Sequence, residues 1–507
     1  MKIFSAAQIK DWDAFTIANE PVASIDLMER AATACAGWIS QNFAPATVFK
    51  VFCGKGNNGG DGLAIARLLL QQKFAVHIYI VEANSAGSND FLINLQRLHQ
   101  MSAEVTHLSE APEFPEIKVK DVVIDALFGT GLNKKPKGIS EKLITHLNKS
   151  TARIISIDIP SGLFTDQSSP GNAAIRARYT LSFQQQKLAF LVAENESSCG
   201  DVIVLDIGLS HKYYEDKKAV FEYITEDNIK RIYKPRKAFA HKGDYGYACL
   251  LAGSYGMMGA AVMSAKACLK SGVGKLTSYI CKQGYVVMQT AVPEAMCKVF
   301  GDTFIKDVED LGDFDVIGLG PGIGRHPSHK QLLQKVFKEF KQPVVIDADG
   351  LNMLSKSPSL YASIPAASII TPHPKEFERL FGKTENDFDT MDLALTKAKE
   401  LNIYIVLKGH HTLIATPSGK AFLNSTGNSG MATAGAGDVL TGILTAFLAQ
   451  KYNPLDACIM GVYLHGLAGD IAANKMSKEA MIADDIINYL GEGFKQIANL
   501  KETQSIS

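Results

Sequence analysis

Oxygen-bearing side chains follow three predicted β-strands in the N-terminal half. Asn58 lies in GKGNNGGDG, Asp125 ends VVIDALFG, and Asp158 and Ser161 end IISIDIPSG. An isolated Asp in such a place is more often a helix cap or turn former than a catalyst. The carboxyl ends of strands in an open α/β sheet meet at one crevice, however, so we expect the four side chains around one ligand. Their oxygens suit an alkali or alkaline-earth cation better than zinc.

The glycine loop in the first of these segments has two interpretations. Gly54 to Gly59 fit the pattern G-x-G-x-x-G, and Glu82 follows at the end of the next predicted strand, as in a dinucleotide site. Asp61 argues against it, because a carboxylate there would compete with a pyrophosphate for the amides of the helix start. Asp61 could instead be a helix N-cap. That role leaves the string Asn57-Asn58-Gly59-Gly60 unexplained.

The C-terminal half carries residues suited to phosphoryl transfer. Gly435-Ala436-Gly437-Asp438 precedes a long apolar run, and the amides of such a helix start form an anion hole. Asp438 is placed to take a proton from a hydroxyl that attacks a terminal phosphoryl group. Alternatively, the glycines serve packing and Asp438 is an N-cap. Lys408-Gly409-His410-His411-Thr412 follows a predicted strand and could hold further phosphates and adenosine, and the absence of a Walker loop excludes P-loop chemistry.

The elements that must position these residues repeat one pattern. Short β-branched runs alternate with helical patterns in both halves, which is typical of a mostly parallel sheet with helices on both faces. Charged, tyrosine-rich sequence separates the two series. We therefore predict an α/β protein with two domains, residues 1–212 and 225–507, joined by a linker over 213–224.

Composition limits the possible partners and location. Lys plus Arg and Asp plus Glu both number 52 in 507 residues, so no global field favours nucleic acid or an anionic membrane. Charges at Lys10, Asp11 and Asp13 argue against a signal peptide, and the longest apolar run, VLTGILTAFLA, is too short to span a bilayer. Eight cysteines without a C-x-x-C pair fit free thiols in a reducing compartment. We expect a cytoplasmic protein without a structural metal.

The N-terminal motifs carry a resemblance to a known family. GKGNNGGDG, VIDALFGTGL and IDIPSG, in this order and spacing, resemble the epimerase domain of the bifunctional NAD(P)H-hydrate repair enzymes over nearly all of residues 1–212. The resemblance implies a Rossmann-like, three-layer αβα fold. It implies potassium at Asn58, Asp125 and Ser161. It also implies that hydrated nicotinamide dinucleotide contacts Asn57, Asn58, Gly59, Gly60, Asp61, Gly129, Thr130, Gly131, Leu132 and Asp158.

The C-terminal motifs resemble the ribokinase-like superfamily. HKGDYGY, GLGPGIG, TPHPKEFERL and KGHHT narrow the resemblance to the NAD(P)H-hydrate dehydratases over about residues 225–500. It implies that the hydrate lies against Ala260, Gly322, His373 and Asp438. The adenosine phosphate is implied to lie against Lys408, Gly409, His410, His411, Thr412 and Gly437. Alternatively, His373, which lies between two prolines, only shapes a loop, and His410 and His411 are ordinary exposed residues.

Both resemblances together imply repair of nicotinamide nucleotides. The implied substrates are the hydrates NADHX and NADPHX, the implied phosphoryl donor is ADP with ATP as an alternative, and the implied ions are K⁺ and Mg²⁺. Phosphorylation turns a poor leaving group into phosphate, with Asp438 as base, and a first domain that interconverts the R and S epimers makes both usable. Asp158 is predicted as the acid/base of that epimerisation, because Asp61 lies in the phosphate loop and Asp125 is assigned to potassium. We also expect a homo-oligomer.

Two other functions remain possible from the residues alone. An NAD-dependent oxidoreductase fused to a ribokinase-like sugar or vitamin kinase would use the two glycine motifs separately. A binding module with a degenerate pocket in the first domain would need no catalysis. The intact set Asn58, Asp125, Asp158 and Ser161 argues against the second of these.

Overall fold

The computed structural model describes residues 1–82, 86–109 and 113–502. Residues 2–219, with 386–388, form one compact unit, here the N-terminal unit; residue 1, residues 220–385 and residues 389 onward form the C-terminal unit. The boundary falls inside the segment 213–224. Residues 213–216 of this segment are the end of a helix, and residues 221–223 form a strand of the C-terminal unit.

The N-terminal unit alternates strands and helices along the chain. Its strands are β1 (Lys2–Ile3), β2 (Val48–Cys53), β3 (Ala75–Val81), β4 (Val105–Leu108), β5 (Val122–Ala126), β6 (Arg153–Ile157), β7 (Tyr179–Phe183) and β8 (Asp201–Leu205). Its helices are α1 (Ala6–Asn19), α2 (Ser24–Asn42), α3 (Asn57–Gln71), α4 (Asn89–Gln100), α5 (Ile139–Lys149), α6 (Glu196–Cys199) and α7 (His211–Asp216).

Seven of these strands form a parallel sheet in the order β4-β3-β2-β5-β6-β7-β8. Neighbouring residues of β2 face opposite cores, since Val51 and Cys53 pack with α2 and α3 while Phe52 packs with α5. This alternation produces the three-layer αβα arrangement and confirms the predicted fold class. Strand order reverses between β2 and β5, which leaves a crevice at their carboxyl ends.

The C-terminal unit continues the alternation. Its strands are β9 (Phe221–Tyr223), β10 (Tyr247–Leu251), β11 (Lys275–Ile280), β12 (Met296–Val299), β13 (Val316–Leu319), β14 (Val344–Ile346), β15 (Ile369–Ile370), β16 (Tyr404–Leu407), β17 (Leu413–Ala415) and β18 (Ala421–Leu423). Its helices are α8 (Glu226–Ile232), α9 (Met258–Lys270), α10 (Tyr285–Ala291), α11 (His329–Glu339), α12 (Asp349–Ser355), α13 (Pro374–Phe381), α14 (Asp387–Leu401), α15 (Ala436–Ala449), α16 (Pro454–Met476) and α17 (Ala483–Glu502).

Within this unit the strands follow the order β9-β18-β17-β16-β15-β14-β13-β10-β11-β12. Pairing is parallel except for the antiparallel pairs β16–β17 and β17–β18. Helices α9, α15, α16 and α17 bury their apolar residues in one core against the sheet. The order reverses between β10 and β13, so the loops after these strands and after β14, β15 and β16 surround a second crevice.

Among the described residues, α16 is the helix that is long and apolar enough to cross a membrane by length and composition. Its most apolar 18-residue window is 72% buried inside the protein. Cys458 and Leu464, for example, belong to the C-terminal core. The sequence prediction took the run that forms α15 as the longest apolar run and did not include α16.

Candidate functional sites

The glycine loop after β2 leads directly into α3. Gly56 is the N-cap of this helix, and Asn57, Asn58, Gly59, Gly60 and Asp61 form its first turns. A Cβ on Gly59 would collide with the carbonyl oxygen of Gly54, so the loop closes only around glycine. Asp61 is a buried residue inside the helix, and the alternative that it caps the helix is wrong.

Asn58 is the buried polar residue of this loop that has no partner. Its side-chain oxygen and nitrogen both lack a hydrogen bond in the described part of the chain. The residue is 7% exposed. Buried amides are normally hydrogen-bonded. The unpaired amide oxygen of Asn58 is therefore free to face a ligand or a cation.

Asp125 and Ser161 meet at the ends of β5 and β6. Oδ2 of Asp125 accepts hydrogen bonds from the Ser161 amide at 2.9 Å and from Ser156 Oγ at 2.7 Å. Burial raises the pKa of Asp125, and the hydrogen bonds from Ser161 and Ser156 oppose this rise. Ser161 Oγ accepts from the Phe128 amide at 2.9 Å, which ties it to the loop that follows β5.

Asp158 also contacts the loop that follows β5. Its Oδ2 accepts from the Thr130 amide at 3.0 Å, and its Oδ1 lies 2.8 Å from Lys187 Nζ. A Cβ on Gly129 would lie 3.0 Å from Asp158 Oδ2 and 3.2 Å from the Asn58 Cβ, so Gly129 separates these two side chains. The loop then turns, with the Leu132 amide bonded to the Gly129 carbonyl oxygen at 3.1 Å and Gly131 exposed between them.

Two charged residues of this site were missed from the sequence. Lys187, which is fully buried, follows β7 in the string QQQK, where no motif marks it. Asp13 on α1 served only as an argument against a signal peptide. Burial raises the pKa of Asp13 to about 7, with Asp158 adding to the rise and Lys187 opposing it, which places Asp13 in the field of this pair. Burial and the carboxylates of Asp158, Asp13 and Asp90 likewise raise the pKa of Asp61 well above its ordinary value.

The second crevice is built around the start of α15. Gly435 is the N-cap, with φ of +91° in the left-handed region that favours glycine, and Ala436, Gly437 and Asp438 form the first turn. Asp438 is thus a helical residue and not the cap that the alternative interpretation assumed. The Ala436 amide donates to the Thr433 carbonyl oxygen at 3.4 Å, and the remaining amides of this turn are open to an anion.

Lys408 and Asp347 lie beside this helix start. Lys408 Nζ is 2.8 Å from Asp347 Oδ1, and Thr441 Oγ1 donates to Asp347 Oδ2 at 2.8 Å. A Cβ on Gly437 would lie 3.3 Å from Lys408 Nζ and 3.5 Å from Asp347 Oδ2. Asp347 follows β14 in the string DADG, and Ala348 after it has a left-handed φ of +49°. Non-glycine residues in this region often mark functional sites.

The surroundings of Asp438 bring its pKa close to neutral pH. Burial raises its pKa to about 7, the carboxylate of Asp347 adds to the rise, Lys408 lowers it, and Asp349 raises it further. A carboxyl group with such a pKa is close to half ionised at neutral pH, which is the range for general-base catalysis.

His373 has a structural role in addition to any ligand contact. It is the N-cap of α13, its Nδ1 accepts from the Lys375 amide at 3.1 Å, and Glu376 accepts from the His373 amide at 3.0 Å. The buried Glu376 also lies 4.0 Å from Lys408 Nζ. The start of α13 therefore lies next to the Lys408–Asp347 pair through Glu376, a residue that the sequence analysis did not single out.

Ala260 and Gly322 lie together at the start of α9. A Cβ on Gly322 would lie 2.9 Å from the Ala260 Cβ, and Ser254 Oγ donates to the Gly322 carbonyl oxygen at 2.8 Å. One turn after Ala260, Ser264 Oγ donates to the Asp438 carbonyl oxygen at 3.0 Å. The start of α9 and the start of α15 therefore border the same crevice.

The segment between β16 and β17 forms a tight turn. Thr412 Oγ1 donates to the Gly409 carbonyl oxygen at 3.0 Å. His411 Nδ1 lies 3.0 Å from the Asn424 carbonyl oxygen, while His410 is exposed. Within residues 408–412, Lys408 is the residue whose side chain pairs with Asp347.

Two protein families match the chain. The family described as YjeF-related protein N-terminus matches residues 24–189, and NAD(P)H-hydrate dehydratase matches residues 248–492. The bifunctional NAD(P)H-hydrate repair enzyme Nnr of Moorella thermoacetica is 33% identical over 99% of this chain and 98% of its own length. The enzyme of the same name from Escherichia coli is 32% identical over 92% of this chain and 88% of its own length.

A solved structure matches the C-terminal unit. The ADP/ATP-dependent NAD(P)H-hydrate dehydratase from Bacillus subtilis, co-crystallised with ATP and Mg²⁺, has a TM-score of 0.50 and 32% sequence identity. It covers 54% of this chain and 98% of its own length.

Proposed function

Since the chain belongs to the family of bifunctional NAD(P)H-hydrate repair enzymes, we propose that its two units catalyse the two steps of nicotinamide-nucleotide repair. The N-terminal unit interconverts the R and S hydrates of NADH and NADPH as an isomerase. The C-terminal unit is a lyase that dehydrates the S hydrate at the expense of ADP, giving AMP and phosphate.

The cluster at the start of α15 is the observation that carries the dehydratase. Lys408, Gly437 and Asp347 lie within a few ångströms of one another beside Asp438. Asp438 takes the hydroxyl proton of the hydrate as that oxygen attacks the terminal phosphoryl group of ADP, and AMP leaves. The amide of Gly437, with Lys408, stabilises the charge that develops on the transferred group. The ring-nitrogen lone pair then expels phosphate, and loss of the proton on the neighbouring carbon regenerates the dihydronicotinamide.

Magnesium enters the proposal with the nucleotide. Mg²⁺ is commonly held by one or two carboxylates together with substrate phosphates, and it needs no complete protein cage. The relative from Bacillus subtilis was crystallised with ATP and Mg²⁺. We propose the same class of nucleotide for this chain, with Lys408, Gly409, His410, His411, Thr412 and Gly437 as its contacts and ADP as the preferred donor.

Potassium is proposed for the N-terminal unit. No group of three or more His, Cys, Asp or Glu residues that could hold a metal ion occurs in the described ranges, so a cation here would combine a carboxylate with amide and hydroxyl oxygens. The unpaired Asn58 Oδ1 and the buried Asp125 and Ser161 offer such oxygens. When bound, K⁺ would supply positive charge for an anionic substrate. The hydrate would lie along residues 57–61 and 129–132, with Asp158 at its reacting carbon.

The oxidoreductase alternative is not supported. Glu82, which would have to bind a ribose in that interpretation, forms ion pairs with Lys55 and His107. We also propose a cytoplasmic location, since all eight cysteines are free, and a homo-oligomeric state. Light scattering of the purified chain would test the latter.

The deciding experiment is incubation of the full chain with mixed R and S hydrate and ADP or ATP, followed by dihydronicotinamide absorbance. Complete conversion supports both activities. Conversion that stops with the R hydrate left would support the dehydratase alone, and no conversion with either nucleotide would refute the proposal.

A further inference from the structure

A buried lysine in the N-terminal unit has no part in the proposed function so far. Lys187 follows β7, and its side chain is 1% exposed. Its Nζ lies 2.8 Å from Asp158 Oδ1, donates to Ser182 Oγ, and is 5.7 Å from the centre of the Phe190 ring.

Stability alone does not explain this ion pair. Removing an ammonium and a carboxylate from water is costly, and well-packed apolar residues in place of a buried pair are often neutral or stabilising. Asp158 also has a left-handed φ of +69°, and its amide donates a hydrogen bond to the Leu181 carbonyl oxygen at 2.7 Å. Strained backbone of this kind concentrates at active sites.

The carboxylate of Asp158 is held at both oxygens. Lys187 contacts Oδ1, and the Thr130 amide donates to Oδ2 at 3.0 Å. Thr130 belongs to the segment 129–132 that is proposed to bind the hydrate. The lysine, the aspartate and the substrate loop therefore form one connected arrangement.

We infer that Lys187 is a positioning residue of the epimerase site, whose ammonium compensates the charge of the Asp158 carboxylate and orients it toward the ligand beside Gly129 and Thr130. This inference rests on the proposed epimerase function. Lys187 acts through Asp158, which alone meets the reacting atoms. Asp13 lies in the field of the same pair, so the charge of Lys187 also balances a second acid at this site.

The test compares Lys187→Gln, which keeps a hydrogen-bond donor but loses the charge, with Lys187→Arg, which keeps the charge in another shape. Lys50→Gln is the matched control. Lys50 is also a buried lysine of this unit, and it pairs at 3.1 Å with Asp121, which directly precedes the amino end of β5 and so lies away from the crevice. The kcat and KM for R-to-S conversion are measured in the full chain, with dehydratase activity on the S hydrate and thermal unfolding as checks on folding.

We expect Lys187→Gln to lower kcat about 100-fold and Lys187→Arg about tenfold, with KM within about threefold, because misplacing a reacting group by about 1 Å can cost this much. Dehydratase activity stays unchanged in both, and Lys50→Gln keeps its epimerase kcat. Wild-type kcat in either Lys187 variant, equal losses in the two, or the same loss in Lys50→Gln would overturn the inference. Failure of the wild-type chain to convert the R hydrate would instead refute the proposed epimerase.

Discussion

The protonation of Asp438 should control the pH dependence of the dehydratase. Its pKa is raised to about 7 by burial and by Asp347, against the opposing effect of Lys408. A general base works only when ionised, so the rate should rise with pH through this range. The ionised fraction grows from about 9% at pH 6 to about 90% at pH 8, which predicts a roughly tenfold increase in kcat/KM.

The variant Asp347→Asn tests whether the carboxylate of Asp347 helps to raise the pKa of Asp438. Asp347 Oδ2 lies 3.5 Å from the Cβ position of Gly437, next to Asp438, so its negative charge opposes ionisation of the base. Removing a close like charge should move the acidic limb of the profile about one pH unit lower. Freeing Lys408 from its partner acts in the same direction. Thr441→Val is the control, because it removes a neutral hydrogen bond to Asp347 and leaves the charge in place.

The assay follows dihydronicotinamide absorbance from pure S hydrate at saturating ADP and Mg²⁺, across pH 5.5 to 8.5 at constant ionic strength. Saturation matters because Lys408 is also proposed to contact the nucleotide. A profile that is flat between pH 6 and 8, or an acidic limb that Asp347→Asn leaves in place, would contradict Asp438 as a base tuned by its acidic neighbour.

Other predictions concern the individual acids. Asp438→Asn should lower dehydratase activity by about 10²–10⁴-fold, and near wild-type turnover would rule out Asp438 as the base. Because ionising a carboxyl whose folded-state pKa is raised destabilises the fold as pH approaches that pKa, Asp438→Asn should gain thermal stability over wild type at pH 8 and not at pH 3.5. Replacing K⁺ by a bulky organic cation should slow epimerisation, and undiminished R-to-S conversion would exclude a functional cation. Asp158→Asn should bind the R hydrate but epimerise poorly, while Asp125→Asn should lose the potassium response; an active Asp158→Asn enzyme would contradict its acid/base role.

The fold was predictable because the sequence pattern has the period of the structure. Alternating strand and helix patterns require parallel sheets covered on both faces, and β2 shows why, since Phe52 and Val51 are both apolar yet belong to different cores. The strand-end residues Asp125, Asp158 and Ser161 could be grouped for a related reason. The carboxyl ends of parallel strands meet regardless of how far apart the residues lie in the chain.

Residues that come from outside the strand ends could not be found this way. Lys187 reaches Asp158 because the chain turns back after β7, and Asp13 arrives on a helix from the start of the chain. Neither position is marked by a local spacing in the sequence. Asp347 is a different case, since it ends a strand as Asp158 does, and the strand-end rule applied to PVVIDADG would have found it.

The two aspartates predicted as catalytic differ in the groups that contact or face them directly, and this difference fits their proposed tasks. Asp438 faces the carboxylates of Asp347 and Asp349, which weaken its hold on the anionic state, and a base that must accept a proton in each turnover benefits from this. Asp158 has a buried ammonium on one oxygen and an amide on the other. These two contacts orient the carboxylate, which suits a group that must guide a proton at a carbon whose configuration is lost and regained. Lys187→Gln should therefore change the epimerase activity alone, and Asp347→Asn should change the dehydratase activity alone.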